Sequence, residues 1–393
     1  MPAVTPLAMP LATPSSVSDL TLSSNGAMVR ENIRGTGVYS SSSILRPPGI
    51  LWKFLVDKQQ ISSTVYGRVG STPAISDAIV YIGGDEWLYA VDAITSKQIW
   101  TFDTPGGAVN SAAVAGGIVY FSSGDQTLYA ADARTGAERW RFTIEDPNLP
   151  WSAFTNPVVA AGVVYVGSER DSLFALDAIT GHILWRTQVT GSIARTPAIA
   201  DGMVFVGTQL HPGVDQTFFY GVDALTGRIK WRMLLEERLA SSPAVVAGTV
   251  YFAGSAAGLY AVDAQTGSIK WRFSKSGSLI VTAPAVAYDT VYITLDYSLY
   301  AIDTATGQER WRFEQERGAL VSPSIAGDIV YFPVLGKWST SGAQQPGTLY
   351  AVGAHSGKPV WSLAISGSID NTVAIVDDVV YMKGDDGYLY ALR

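Results

Sequence analysis

Leu259-Tyr-Ala-Val-Asp-Ala-Gln-Thr-Gly-Ser-Ile-Lys-Trp-Arg-Phe273 is one copy of a phrase that runs through the whole 393-residue chain. Its tryptophan belongs to a series: Trp52, Trp100, Trp140, Trp185, Trp231, Trp271, Trp311 and Trp361, separated by 48, 40, 45, 46, 40, 40 and 50 residues. Seven of the eight close the same phrase, and Trp52 has no matching Ala-x-Asp before it. A period of about 40–50 residues marks a repeat architecture, in which units too small to bury a core stack into one body.

Upstream of the phrase, the unit Ser242 to Phe273 divides cleanly. Pro243-Ala-Val-Val is a short apolar run, Ala247-Gly248 a turn, and Thr249-Val-Tyr-Phe-Ala253 a β-branched and aromatic strand. Gly254 to Gly258 form a loop, Leu259–Asp263 a third strand and Thr266-Gly267 a second turn. Ser268–Phe273 then alternates as a half-exposed strand does. Four strands with such short connections form a meander, which is one blade of a β-propeller. The same division fits 71–102, 110–142, 156–187, 196–233, 283–313 and 322–363.

The C-terminus supplies three more strands around Val373, Val379 and Tyr388 but ends before a Trp strand. Ile50-Leu-Trp-Lys-Phe54 is a Trp strand with nothing before it. The two fragments complete one another. The chain is therefore expected to be all-β: an eight-bladed β-propeller of four-stranded antiparallel blades. Its ring is closed by the N-terminal strand joining the C-terminal blade, which leaves no ring gap. Residues 1–29, rich in Pro, Ser and Thr, read as a disordered leader, and 30–393 as a single propeller domain.

Within the phrase, Ala261 and Trp271 stand opposite across a hairpin, where a small residue leaves room for an indole lying between blades. Asp263 can accept backbone donors in the turn, and Gly267 allows a positive φ there. Three units depart: Ser96 replaces the Gly, Gly221 the Ala and Gly353 the Asp, so weaker turns are expected at the first and third.

Composition narrows the function. Hydrophobic residues make up 47% and charged residues 16%, with a net charge of −7 and no Lys/Arg run, so nucleic-acid binding is not expected. With no Cys, thiolate chemistry and Cys-ligated zinc are excluded. The three His (His182, His211 and His355) are far apart in sequence, so no metal site is expected. No apolar run reaches the roughly 18–20 residues that span a bilayer. The N-terminus lacks the charged and apolar regions of a signal peptide. No Ser-His-Asp order, phosphate loop or His-Glu metal motif appears, so no catalytic residue is assigned.

The repeated phrase resembles the tryptophan-docking motif of the quinoprotein (PQQ-like) eight-bladed propellers, over about 50–393. That resemblance implies one of two branches. The first holds PQQ-dependent alcohol and glucose dehydrogenases, whose alcohol-oxidising members are typically longer and use an adjacent-Cys disulfide and a Ca²⁺ held by Glu, Asn and Asp. The second holds the BamB lipoprotein of outer-membrane assembly and the sensor domains of bacterial Ser/Thr kinases. The compact blades here are closer to the second, although the lipidated Cys of BamB has no counterpart. Arg30-Glu-Asn-Ile-Arg-Gly-Thr-Gly-Val-Tyr39 resembles the lead-in of bacterial PQQ-like repeat proteins.

Stretches longer than the basic period are the natural place for a site, because loops on a rigid scaffold carry binding. They are Glu145–Phe154 before blade 3, Gln209–Thr217 in blade 4 (with His211 and Asp215) and Leu335–Gly347 in blade 7. All three belong to the face opposite the Thr-Gly turns. Trp151 and Trp338 sit in two of them, where an amphipathic ring suits protein or carbohydrate contact. Two residues before the recurrent Pro, a ring of positions surrounds the funnel mouth on this face: Ser71, Asn110, Thr155, Arg195, Ser241, Thr282, Val321 and Asn371, flanked by Asn156 and Asp370. Carboxamides with one Asp suit Ca²⁺ or a sugar, and Arg195 suits an anion or a quinone carboxylate. Small polar residues at strand starts also serve simply to satisfy backbone groups.

The expected function is a non-catalytic scaffold or sensor outside the cytoplasm, monomeric and without a cofactor, that binds a protein or glycan partner through this face. The alternative is an oxidoreductase using PQQ and Ca²⁺. Ring closure through Trp52 makes a direct prediction. Deleting 46–54 should lower the melting midpoint far more than deleting 1–25, and equal midpoints for the two truncations would refute it.

Overall fold

The computed structural model describes residues 32, 35–57, 71–105, 107–144, 154–193, 195–210, 214–255, 258–275, 282–315, 321–336, 346–366, 368–369 and 371–393. Every regular element among them is a strand, and none is a helix long and apolar enough to cross a membrane. The strands form eight separate sheets, each a meander in chain order. Seven blades span 74–103, 113–143, 158–188, 198–235, 244–273, 285–314 and 324–365. The eighth is made of Ala374–Val376, Val379–Lys383 and Tyr388–Leu392, with Ile50–Leu55 as its outer strand.

Ring closure is antiparallel, with Trp52 opposite Ala391 and Phe54 opposite Leu389. Gly49 and Arg393 exchange both backbone hydrogen bonds at 2.8 and 2.9 Å. This places Trp52 in the same register to Ala391 as Trp271 has to Ala261. The shared register explains why the orphan strand reads as a repeat strand.

Each docking tryptophan works across a blade boundary. Its indole N–H donates to the carbonyl oxygen just after the turn aspartate of the next blade: Trp100 to Ala133, Trp140 to Ala178, Trp185 to Ala224, Trp231 to Ala264, Trp271 to Thr304 and Trp311 to Ala354. Trp52 carries the pattern over the closure, to Ala93 at 2.9 Å. The second-strand tyrosine adds its hydroxyl to the same carbonyl in four blades, through Tyr81, Tyr120, Tyr165 and Tyr292. Blade 4 has Phe205 at that position, and there the indole of Trp231 stacks on Phe219 instead.

The turn is built to present that carbonyl. In six blades the aspartate accepts the backbone N–H and hydroxyl of the threonine three residues on; for Asp263 these are 2.9 and 3.0 Å. The Arg139 guanidinium and then Thr135 hold the Asp132 carboxyl down at about 2. The indole ring lies over the turn glycine of the next blade, and a Cβ on Gly307 would stand 2.7 Å from the Trp271 ring. The close contact at Gly221 is of another kind, since a Cβ there would meet Trp231 of its own blade at 2.3 Å. At the two expected weak turns, Ser96 adopts φ 58, and Gly353 offers no carboxylate, its turn being held by the backbone alone: its carbonyl accepts from Ser356 and Gly357 N–H, and its N–H donates to the Lys358 carbonyl.

One element departs from the four-strand expectation. Val38–Tyr39 pairs in parallel with the inner strand Ser324–Ala326, making blade 7 five-stranded. The inner strands line the central channel, so this short strand lies within it. It runs from the funnel mouth toward the Thr-Gly turns.

Gly307 and Gly248 separate packing from backbone strain, with φ +71 and +69, but nothing within 4 Å of a Cβ on Gly248. Gly248→Ala should cost about 1 kcal/mol, the left-handed penalty alone. Gly307→Ala should cost about 2–4 kcal/mol because the Trp271 indole must also move. Denaturant midpoints of the two variants measure the difference.

Candidate functional site

In a meander, the connections between second and third strands share a face with the connections between blades. Of the three long connections, 145–154, 209–217 and 335–347, the described residues are Phe154, Gln209, Leu210, Val214–Thr217, Leu335, Gly336, Pro346 and Gly347. Trp151, His211, Trp338 and Asp370 lie outside the described residues. Asp215 is exposed in the blade 4 connection. That connection is tied at its base, where Gln209 bridges Ser192 through the backbone and donates its side chain to the Leu239 carbonyl at 3.0 Å.

Most of the funnel-mouth ring is spent on the fold. Ser71, Thr155 and Ser241 each accept the backbone N–H twelve residues on, from Gly83, Gly167 and Ala253, at 2.9–3.0 Å. Asn110 is buried and donates to Ser122 Oγ and to the Phe154 carbonyl. Thr282 donates to the Thr294 carbonyl at 3.2 Å. Asn371 is buried in blade 8, across the ring from blade 4. These side chains fasten each inner strand to the strand beside it.

An arc of the candidates is nevertheless continuous. Ser111 Oγ accepts from Thr72 N–H, Asn156 Oδ1 accepts from Ser111 N–H, and Asn156 Nδ2 donates to Thr196 Oγ1, at 2.8, 3.0 and 2.9 Å. This chain crosses from blade 1 to blade 4 and stops beside Arg195. Arg195 is different in kind. Its Nε is buried without a hydrogen-bond partner, and burial draws its pKa below the usual arginine range. A guanidinium has five donors and no acceptor, and leaving it desolvated and unpaired costs stability. An arginine kept in that state on the loop face is ready for an anionic group.

Lys383 and Asp57 form a second charged feature, which the sequence reading passed over. Lys383 Nζ lies 2.8 Å from Asp57 Oδ2 and donates to the Gly83 carbonyl at 3.0 Å. Asp57 Oδ1 accepts from Asp85 N–H at 3.1 Å. The side chains are 13% and 5% exposed, so this is a buried pair, and its charges are fully used in holding blade 8 to blade 1. The signal was present. Two residues after the repeated second-strand aromatic, other blades have Gly83, Ser122, Gly167, Gly207, Ala253, Thr294 or Pro333, and only blade 8 has a lysine.

Among the described residues no group of three or more His, Asp or Glu is placed to hold a metal ion. The described donors at the mouth are amides and hydroxyls bonded within the ring, a set that does not fit a divalent cation. Arg195 alone matches a carboxylate such as those of PQQ.

The architecture, eight four-stranded blades with tryptophan docking, is that of the PQQ-type propellers. The family model described as outer membrane protein assembly factor BamB matches residues 46–159, 130–238, 215–341 and 333–393, and the chain belongs to that family. No curated protein sequence matches it. Among solved structures, BamB from Moraxella catarrhalis is similar at a TM-score of 0.66 and 17% identity, covering 88% of this chain and 98% of that one. The quinohemoprotein alcohol dehydrogenase from Comamonas testosteroni is similar at 0.73 and 15%, covering 95% and 81%. The computationally designed Ika8 protein is similar at 0.67 and 18%, covering 82% and 95%. One ring thus carries an assembly factor, a dehydrogenase and a design, and identities this low speak for the fold alone.

The two charged features predict opposite responses. Asp57→Ala leaves Lys383 buried and unpaired and should cost about 3–5 kcal/mol. Arg195→Met removes a charge that has no partner and should leave the thermal midpoint unchanged or raise it. A fall on the scale of the Asp57 variant would make Arg195 a structural residue.

Proposed function

We propose that the chain is a non-catalytic propeller scaffold that binds a partner, protein or glycan, through the face carrying the long connections. The observation supporting this is Arg195: a half-buried guanidinium at the end of the Asn156 chain, on that face, whose Nε is buried without a hydrogen-bond partner. A protein partner would bring an acidic side chain to it, and desolvated charge pairs of this kind concentrate binding energy. Membership in the BamB family favours a protein partner and a place outside the cytoplasm. The exposed Asp215 would lie at the rim of the contact.

The competing assignment, a PQQ- and Ca²⁺-dependent oxidoreductase, draws on the same arginine as a carboxylate anchor. One pair of measurements separates them. The purified chain is loaded with PQQ and Ca²⁺ and assayed by absorbance and by dye-linked oxidation of alcohols and sugars. In parallel, partners are captured with the wild type, with Arg195→Glu and with the 335–347 connection shortened. The scaffold predicts no turnover and a partner lost with both variants. Stoichiometric PQQ uptake with turnover would overturn it.

A further inference from the structure

Gly35 to Ile44 stand outside the blade pattern and are held by five blades. Val286 N–H donates to the Thr36 carbonyl at 2.9 Å and Ile325 N–H to the Gly37 carbonyl at 2.8 Å. Val38–Tyr39 complete the parallel pairing with Ser324–Ala326. Gly35 sits against blades 4 and 5, where a Cβ would stand 2.5 Å from the Pro243 carbonyl oxygen, at a φ of +64. Tyr39 is 5% exposed, packed in the apolar cluster that joins blades 7, 8 and 1. Further along, Ser41 Oγ donates to the Ile375 carbonyl, Ser42 N–H to Asp378 Oδ1 and Ile44 N–H to Tyr331 Oη, while Ser43 Oγ accepts from Asp328 N–H.

The last contact is the most specific. Blade 8 has no turn between third and outer strands, because the two ends of the ring meet there. Trp361 therefore lacks the turn carbonyl that every other docking tryptophan uses, and its indole donates to the Ile44 carbonyl at 2.7 Å instead.

Backbone bonding to an open strand edge, with side-chain pockets at intervals, is how proteins recognise an extended peptide. The ring closes separately, through Ile50–Leu55 and Tyr388–Leu392. The link between the two is Leu45-Arg-Pro-Pro48, whose first three residues are exposed. We propose that the central channel is a peptide-binding groove, filled in cis by Gly35–Ile44. Its selectivity is for an extended segment with Gly-x-Gly-x-aromatic and an aliphatic residue five positions after the aromatic. The groove is independent of the loop face and of what that face binds.

Two forms of the protein test this with one probe, a fluorescent synthetic peptide of residues 32–45. The first form lacks 1–44. The second is the full chain with a protease site inserted between Arg46 and Pro47, cut after folding. The truncated ring should bind the peptide at one per ring and recover its melting midpoint on binding. Peptides carrying Gly35→Val or Tyr39→Ala should bind about tenfold or more weakly, a loss of roughly 1.4 kcal/mol. The nicked ring should stay folded and exchange its own segment for the labelled one. A truncated ring that folds and ignores the peptide would overturn the proposal. Should that form not fold, a folded nicked ring that never takes up the labelled peptide would do the same.

Discussion

In seven of the eight blades one carbonyl oxygen, that of the residue after the turn aspartate or, in blade 7, after Gly353, receives the indole N–H of the blade before it. One such hydrogen bond is worth only about 0.5–1.5 kcal/mol net. Its importance lies in what it fixes. The aspartate and the turn glycine set the carbonyl's position before any neighbour arrives, and the glycine leaves the indole a flat surface to lie on. Blades 1 to 7 therefore each carry both halves of a joint, and a chain of like joints determines the angle between blades. Stability in such an array is a sum of unit and neighbour terms. The final joint has no neighbour in sequence, and the structure supplies its missing half from Ile44.

That joint explains why so much of the fold was legible. Both of its halves lie in one continuous phrase, so spacing alone exposes the repeat, and the partnerless Trp52 exposes the closure. Strand pairing within a blade is also local, and short turns fix its register. The segment at Val38–Tyr39 was not legible as a strand. Its two residues pair with Ile325 and Ala326, nearly three hundred positions away, and two residues are too few to show the alternation that marks a strand.

Less of the site could be read. Strand starts that point toward a funnel mouth look alike in sequence whether the side chain faces a ligand or the neighbouring backbone. Ser71, Thr155 and Ser241 do the latter. Asn110 and Asn156 are candidates by the versatility of their carboxamides, and in the structure both are bonded within the ring. Arg195 differs by size and charge, which no backbone latch requires. Lys383 was missed because the repeat was read for what recurs, and its meaning lies in breaking the recurrence.

Closure between Ile50–Leu55 and Tyr388–Leu392 also sets a timetable. The outer strand of the eighth blade precedes the other seven blades in the chain, and its partner follows them. Seven blades can form and dock in order behind the growing chain, but the early strand, with Ile50 and Leu51 more than half exposed even in the finished ring, has nothing to pair with until Tyr388–Leu392 is made. Contacts of such long sequence separation form slowly. The nascent chain therefore carries an unpaired apolar edge while all seven other blades are made, and that edge is where a chaperone would find it.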